Sequence, residues 1–412
     1  MGRFALVLPI ILLFSLFAQV PYEEGPYSVG CRIRTIERPS DTDTSTRVMD
    51  NYIWYPAISG TGYWFESLNA YVGATPLGDS LRPVVFCSHG GCGHPLASVY
   101  YTSFLPSWGM ICVATMHPGS MYGEPDCLDS ASLHDTWLNR PGDVEFTREW
   151  LIQTSLDSSE LFGDVDTTRM AMTGHSFGAR TTYAMLNRTS YFCCGVGFSG
   201  DYTDVGSAPI NCLDDIRGID VPIMIQNGTY DFGLESVHAQ EIYDTLGTPK
   251  FWIEIQGASH FSWADTCNDE MDPFCGIDSV LDYYSAHKVI LKYTISFLFK
   301  YLLNNDIFDS YLTDTTDSLT DVFYDFPVGV SENKSRSEGS TLSIYPNPFN
   351  GELHISLKHG NKVEIYNIDG HLIESFASGK QNLTWRPNNC SSGIYLIKIS
   401  DSKEVKKCIL MN

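Results

Sequence analysis

The stretch TRMAMTGHSFGARTTYAML, residues 168–186, decides how this chain is read. A strand-like run, Thr168 to Thr173, meets a helix-like run, Ala179 to Leu186, across Gly174-His175-Ser176-Phe177-Gly178. A turn that tight forces Ser176 into a crowded backbone conformation and leaves no room for side chains two positions before and after it. The serine hydroxyl is then expected at the carboxyl edge of a sheet, presented as a nucleophile. With 34 glycines in 412 residues the five-residue pattern alone is weak, so the rest of the chain has to supply its partners.

An acyl-transfer serine needs a base to take its proton, an acid to orient that base, and amide donors for the developing oxyanion. Asp231, in NGTYD (227–231), lies just past the strand-like run Pro222 to Gln226, and His260, in GASH (257–260), follows the run Phe251 to Ile255. The order Ser176, Asp231, His260 is the one expected of an α/β-hydrolase sheet. Asp201 and Asp204, after the run Phe192 to Phe198, are the alternative acids. The Phe177 amide comes with the turn as one oxyanion donor. The second is assigned to Gly91 in SHGG (88–91), where the lack of side chains lets the main chain approach a substrate, with Gly90 as the alternative. This chemistry calls for no cofactor. His89, His94, His117 and His175 read as hydrogen-bonded structural groups rather than metal ligands, and Asp41-Thr42-Asp43 as a solvated turn lacking the glycine and distal glutamate of a calcium loop.

GHSFGA (174–179), SHGG (88–91), NGTYD (227–231) and GASH (257–260) together resemble the dienelactone-hydrolase-like branch of the α/β-hydrolases. Within that branch, RPGDVEFTREWL (140–151) and FGDVDTTRMAMTGHSFG (162–178) are similar to bacterial cutinase-like polyester hydrolases and to the platelet-activating-factor acetylhydrolase group. The resemblance covers about residues 27–300 and implies the same fold and triad, with a substrate among lipids, soluble esters or polyesters. The polyester hydrolases often carry an aromatic residue at the second oxyanion position, where this chain has Gly91.

The wider chain fits that reading. Apolar runs alternate with amphipathic ones in the order of a mostly parallel sheet flanked by helices, with helices expected at Asp143 to Thr154, Arg180 to Asn187, Ser236 to Leu246 and Asp282 to Leu303. Strand-like runs at Cys31 to Ile36 and Asn51 to Tyr55 follow each other without a helix, which predicts an antiparallel edge. The formal net charge of −23 excludes a nucleic-acid binder, which needs a basic footprint. Met1-Gly2-Arg3, the apolar run Phe4 to Phe17 and Ala18 read as a signal peptide over residues 1–20. Twelve cysteines, all beyond it, fit an oxidising compartment, with Cys267–Cys275 and Cys390–Cys408 as candidate pairs and Cys87 and Cys112 as buried thiols.

Only about two dozen residues separate Phe198 from Pro222, too few for a helical cap, so an open site is expected that suits a bulky, polymeric or surface-presented substrate. Trp137, Tyr202, Phe261 and Trp263 are expected on its rim as an aromatic acyl-binding wall. The segment His117 to Arg140 is the other specificity candidate. Its Asp129 and Asp135 would repel anions, favouring a neutral ester. The catalytic domain, residues 21–303, is read as a monomer. The contrasting class is a non-catalytic surface or adhesion protein on a hydrolase scaffold.

Residues 304–340, rich in Asp, Thr, Ser and Glu, read as a linker. After it come short alternating strands separated by Gly, Asn, Asp and Pro turns, a small all-β sandwich over 341–412. YPNPFN (345–350), VEIYNIDGHLI (363–373) and SSGIYLIKI (391–399) resemble the C-terminal sorting domain of the type IX secretion pathway, which implies export and contact with the secretion machinery. From the residues alone, a carbohydrate-binding or other adhesive module stays open.

Overall fold

Short runs such as Val84 to Phe86 and Ile111 to Ala114, buried on both faces, are the residues of a central parallel sheet covered by helices on each side. In the computed structural model they belong to an 11-stranded sheet. Described are residues 19–326 apart from 79, 158–164 and most of 268–279, and, further on, 342–345, 351–357, 362–367, 371–377, 379–380, 382–388, 390–399 and 405–410. The signal-peptide reading falls almost wholly outside these residues. The chain divides into two compact units, Met1–Phe326 and Pro327–Asn412.

In the first unit the strands are β1 (Ser28–Pro39), β2 (Thr46–Ala57), β3 (Tyr63–Phe65), β4 (Ala70–Val72), β5 (Arg82–Ser88), β6 (Ile111–Thr115), β7 (Val165–His175), β8 (Phe192–Phe198), β9 (Ile223–Tyr230), β10 (Lys250–Ser259) and β11 (Thr320–Asp325). Their order is β11-β10-β9-β8-β7-β5-β6-β2-β1-β4-β3. Strands β5 to β10 run parallel, and β1 and β2 pair antiparallel as expected, but they are not the edge of the sheet, because the short β4 and β3 add beyond β1. The helices are α1 (Val99–Thr102), α2 (Phe104–Ser107), α3 (Ser130–Asp157), α4 (Phe177–Arg188), α5 (Leu213–Arg217), α6 (Ser236–Thr245), α7 (Tyr283–Tyr301) and α8 (Asp309–Leu312). Residues of α3, α4 and α6 pack into one core, around Phe86 and Tyr183, and those of α1, α2 and α7 into another, around Trp54 and Phe251.

Two expectations are corrected here. The helix expected from Asp143 begins at Ser130 and runs through Pro141, because Asp129 Oδ1 caps it by accepting the N–H groups of Ala131 (2.8 Å) and Ser132 (2.9 Å). The linker expected from residue 304 is partly structured: β11 pairs antiparallel along β10, and Asp314 and Asp317 hold the buried Lys292 of α7 at 3.0 and 3.2 Å. Its acidic residues serve a buried cation, a pairing composition does not reveal. Residues 327–341 lie outside those described.

The second unit has β12 (Leu342–Tyr345), β13 (Leu353–Leu357), β14 (Val363–Asn367), β15 (Leu372–Phe376), β16 (Asn382–Trp385), β17 (Gly393–Ile399) and β18 (Val405–Leu410). They form two antiparallel sheets, β12-β13-β16 and β15-β14-β17-β18, which share a core including Ile355, Trp385, Ile365, Ile397 and Cys408.

Cysteine pairing departs from expectation. Cys92 and Cys127 form a disulfide, and Cys267 is disulfide-bonded, while Cys275, its expected partner, lies outside the described residues. Cys390 and Cys408 remain thiols: Cys408 points into the core of its unit, whereas Cys390 lies in a loop with Sγ turned to the Asn388 carbonyl at 3.7 Å. Cys87 and Cys112 are thiols, with sulfurs 3.3 Å apart on adjacent strands.

Candidate active site

The β7–α4 turn explains its own sequence. Ser176 has φ 56° and ψ −117°, a region costing about 1–3 kcal/mol for a residue with a side chain. The turn is held by the Ser176 N–H donating to the Phe198 carbonyl (2.8 Å) and the Ala179 N–H to the Ser176 carbonyl (2.9 Å). A Cβ on Gly174 would lie 2.2 Å from the Gly178 carbonyl oxygen, and one on Gly178 would lie 1.9 Å from the Ser88 carbonyl oxygen. Both glycines are therefore required by contact, as the spacing implied.

The loops after β9 and β10 bring the other two groups to it. His260 Nε2 is 3.0 Å from Ser176 Oγ, and His260 Nδ1 is 2.9 Å from Asp231 Oδ1. Asp231 is buried, and its Oδ1 also accepts the N–H groups of Gly233 (2.8 Å) and Leu234 (3.1 Å), so the turn that follows fixes its orientation. The alternative acids are engaged elsewhere: Asp201 with His238 Nδ1 at 2.9 Å, and Asp204 with the Asn211 N–H at 2.9 Å.

Two neighbours were missed. Ser199, at the end of β8, places Oγ 2.5 Å from His260 Nδ1, sharing that nitrogen with Asp231. Its position between the strands that deliver Ser176 and Asp231 was the available signal. Gly233 lies against the imidazole, where a Cβ would be 2.0 Å from His260 Cε1.

Phe177 is the first residue of α4, where an N–H has no intrahelical acceptor. Gly91 adjoins it: a Cβ on Gly91 would make ordinary contact, 3.8 Å, with Phe177 Cβ and Leu128 Cδ2. Gly90 backs onto the serine, its would-be Cβ 3.3 Å from Ser176 Cβ. The disulfide from Cys92, next to Gly91, to Cys127, next to Leu128, fastens this loop to the segment over it.

Beneath the loop lies a buried charged layer. Asp143 accepts from Arg38 Nε (2.7 Å), Arg47 Nε (2.8 Å) and His117 Nδ1 (3.0 Å). Burial pushes the Asp143 carboxyl up, but the His117 and Arg47 hydrogen bonds outweigh it and hold it well below the usual carboxylate range. Burial, aided by the Arg140 charge, lowers His117 to about 4, and burial lowers Arg140 to about 9. His89 donates from Nδ1 to the Gly90 carbonyl (2.8 Å) and accepts the His117 N–H at Nε2 (3.1 Å), which fixes its neutral tautomer. His175 donates from Nε2 to the His260 carbonyl (2.8 Å), and burial beside His260 lowers it to about 3. His94 Nδ1 accepts the Leu96 N–H at 3.0 Å.

The expected aromatic rim is only partly there. Trp263 is 1% exposed, its Nε1 donating to Gln226 Oε1, and Trp137 is 7% exposed on α3; both pack inward because their faces of the loop and helix cover the core. Tyr202 is half-buried with its hydroxyl on Glu241, and Phe261 flanks His260 with ring centroids 5.5 Å apart. Among the described residues, exposed apolar groups beside the site include Leu128 (53%) next to Gly91 and Phe232 (44%), whose ring lies 4.6 Å from His260.

A sheet of this order with a serine on its β7–α4 turn is the architecture of the α/β-hydrolases. Residues 127–326 match the family described as "PET hydrolase-like", and residues 343–411 match the "Secretion system C-terminal sorting domain". The chain therefore carries a PET hydrolase-like domain followed by a sorting domain that marks it for type IX secretion, to the cell surface or the extracellular space. The first match ends at the last residue of the first unit and so includes β11. A platelet-activating factor acetylhydrolase of Gallus gallus is 24% identical over 174 residues, 42% of this chain and 39% of that protein, so the chain spans about two-fifths of that relative's length.

Proposed function

We propose that this chain is an exported serine hydrolase of neutral carboxylic esters. The observation that carries the proposal is the Asp231–His260–Ser176 relay, at 2.9 and 3.0 Å, with the serine on a positive-φ turn. His260 Nε2 takes the Ser176 proton as Oγ attacks the ester carbonyl, and the Phe177 and Gly91 amides hold the oxyanion. The imidazolium then protonates the leaving alcohol, and water attacks the acyl-enzyme with His260 again as base. Asp231 keeps Nδ1 protonated and faces the imidazolium. Its Oδ1 meets His260 Nδ1, while Oδ2 is buried with no hydrogen-bond partner among the described residues.

Between β8 and β9 the chain contributes only the five-residue α5, which leaves the mouth uncapped. That openness, with Leu128, Phe232 and Phe261 at the edge, supports polyester as substrate, in line with the PET hydrolase-like match. A lipid ester is the second reading, favoured by the acetylhydrolase similarity. The second unit serves export through the secretion machinery.

The test is hydrolysis of p-nitrophenyl esters from acetate to palmitate by the full chain beside Ser176→Ala, with release of soluble products from polyester film measured in parallel. Loss of turnover in the variant is expected. Turnover retained by Ser176→Ala refutes the triad, and ester turnover without film hydrolysis refutes the polyester reading.

A further inference from the structure

We propose that Arg140 is a positioning residue that sets the oxyanion hole, by holding the Gly90 peptide unit so that the Gly91 N–H faces the cleft. This rests on the serine-hydrolase reading and on Gly91 as a donor.

The Arg140 side chain is fully buried on α3. Its guanidinium donates from Nη1 to the His89 carbonyl (2.5 Å) and to Ser88 Oγ (3.3 Å), and from Nη2 to the Gly90 carbonyl (3.0 Å) and Ser120 Oγ (2.7 Å). The carboxylate one turn on, Asp143, is taken up by Arg38, Arg47 and His117. A buried cation is costly unless its donors are used. Arg140 Nε is buried with no hydrogen-bond partner among the described residues, and both terminal nitrogens go to consecutive main-chain carbonyls of one loop.

The consequence follows from peptide geometry. In a trans peptide unit the C=O and N–H point in opposite directions. The Gly90 carbonyl is held by Arg140 Nη2, by His89 Nδ1 (2.8 Å) and by the Gly93 N–H (3.2 Å), so the N–H of the same unit, that of Gly91, is turned to the opposite side. Ser176 lies against this loop, its Cβ 3.3 Å from where a Gly90 Cβ would be. Arg140 also reaches the other donor residue, its Cζ lying 4.6 Å from the centroid of the Phe177 ring. A cation on the carbonyl side polarises the unit as well, strengthening the N–H as a donor.

The test uses the full chain with Arg140→Lys, Arg140→Met and the milder Ser120→Ala, measuring kcat, KM, the pH profile of kcat/KM, thermal unfolding, and inhibition by a trifluoromethyl ketone, whose adduct carries the tetrahedral oxyanion. Arg140→Met should lose roughly 10²-fold in kcat and a similar factor in ketone affinity, with KM within about threefold and the pH profile unmoved. Arg140→Lys should recover part of the loss, and Ser120→Ala should lose a smaller factor. If Arg140→Met does not fold, the lysine and Ser120→Ala variants decide. Unchanged kcat and ketone affinity in folded variants would overturn the assignment, as would a loss that appears only in KM. Failure of Ser176→Ala to abolish turnover would instead refute the underlying reading.

Discussion

Replacing Gly233 with alanine tests whether the imidazole is held as tightly as the site requires. The added methyl would lie 2.0 Å from His260 Cε1 and 2.1 Å from Nδ1, where ordinary contact begins at 3.4 Å, so ring and turn must separate by about 1.4 Å. The backbone offers no competing explanation, because Gly233 has no positive φ and alanine is unstrained there. The ring is confined by Phe232, at 4.6 Å, and by His175, at 4.8 Å, and it can give way only by changing its 3.0 Å contact with Ser176 Oγ or its 2.9 Å contact with Asp231. Proton transfer needs heavy atoms within roughly 2.6–3.2 Å. A misplacement of about 1 Å costs about 10²-fold. Gly233→Ala should therefore lower kcat on p-nitrophenyl butyrate by roughly 10²- to 10³-fold, with KM little changed and cooperative unfolding retained. A folded variant with kcat within fivefold of the parent would refute the reasoning, since it would mean the ring tolerates that displacement or does not transfer the proton.

Three further outcomes follow. Ser199→Ala removes one of two groups on His260 Nδ1 and should lower kcat by about 2- to 10-fold, the worth of about 0.5–1.5 kcal/mol for one hydrogen bond, with KM unchanged; steady-state kinetics checks it. Stability should fall as pH drops from about 6.5 towards 4, because His117, lowered to about 4 in the folded chain, stays neutral while the unfolded chain binds the proton. For His117 alone the loss is about 2 kcal/mol by pH 5, with His175, lowered to about 3, acting in the same sense; urea midpoints across this range measure it. A chain ending after Leu303 lacks β11 and leaves the buried Lys292 without Asp314 and Asp317, so it should be less stable by about 3–5 kcal/mol than one ending after Phe326, and equal urea midpoints would contradict this.

What was legible in the sequence, and what was not, divides along physical lines. Ser176, Asp231 and His260 each directly follow an apolar strand, and in a parallel sheet all strand ends meet at one edge, so linear order sufficed to bring them together. The glycines were legible because their spacing answers to backbone contact, as Gly174 and Gly178 show. Direction was not legible: Trp137 and Trp263 belong to the expected segments but face inward, and Leu128 and Phe232 hold the mouth instead. Nor was the charged layer under the Ser88–Gly91 loop. Arg38 and Arg47 lie 105 and 96 residues from Asp143, on β1, β2 and α3, and nothing local in RPGDVEF marks its charges as buried. Apolar periodicity reports which faces leave water, and a buried ion pair breaks that period, so it reads as surface until the sheet order sets the partners side by side. Arg140 and Asp143, three residues apart on one helix, look like a solvated pair and instead serve different partners, one the loop carbonyls and the other two distant arginines.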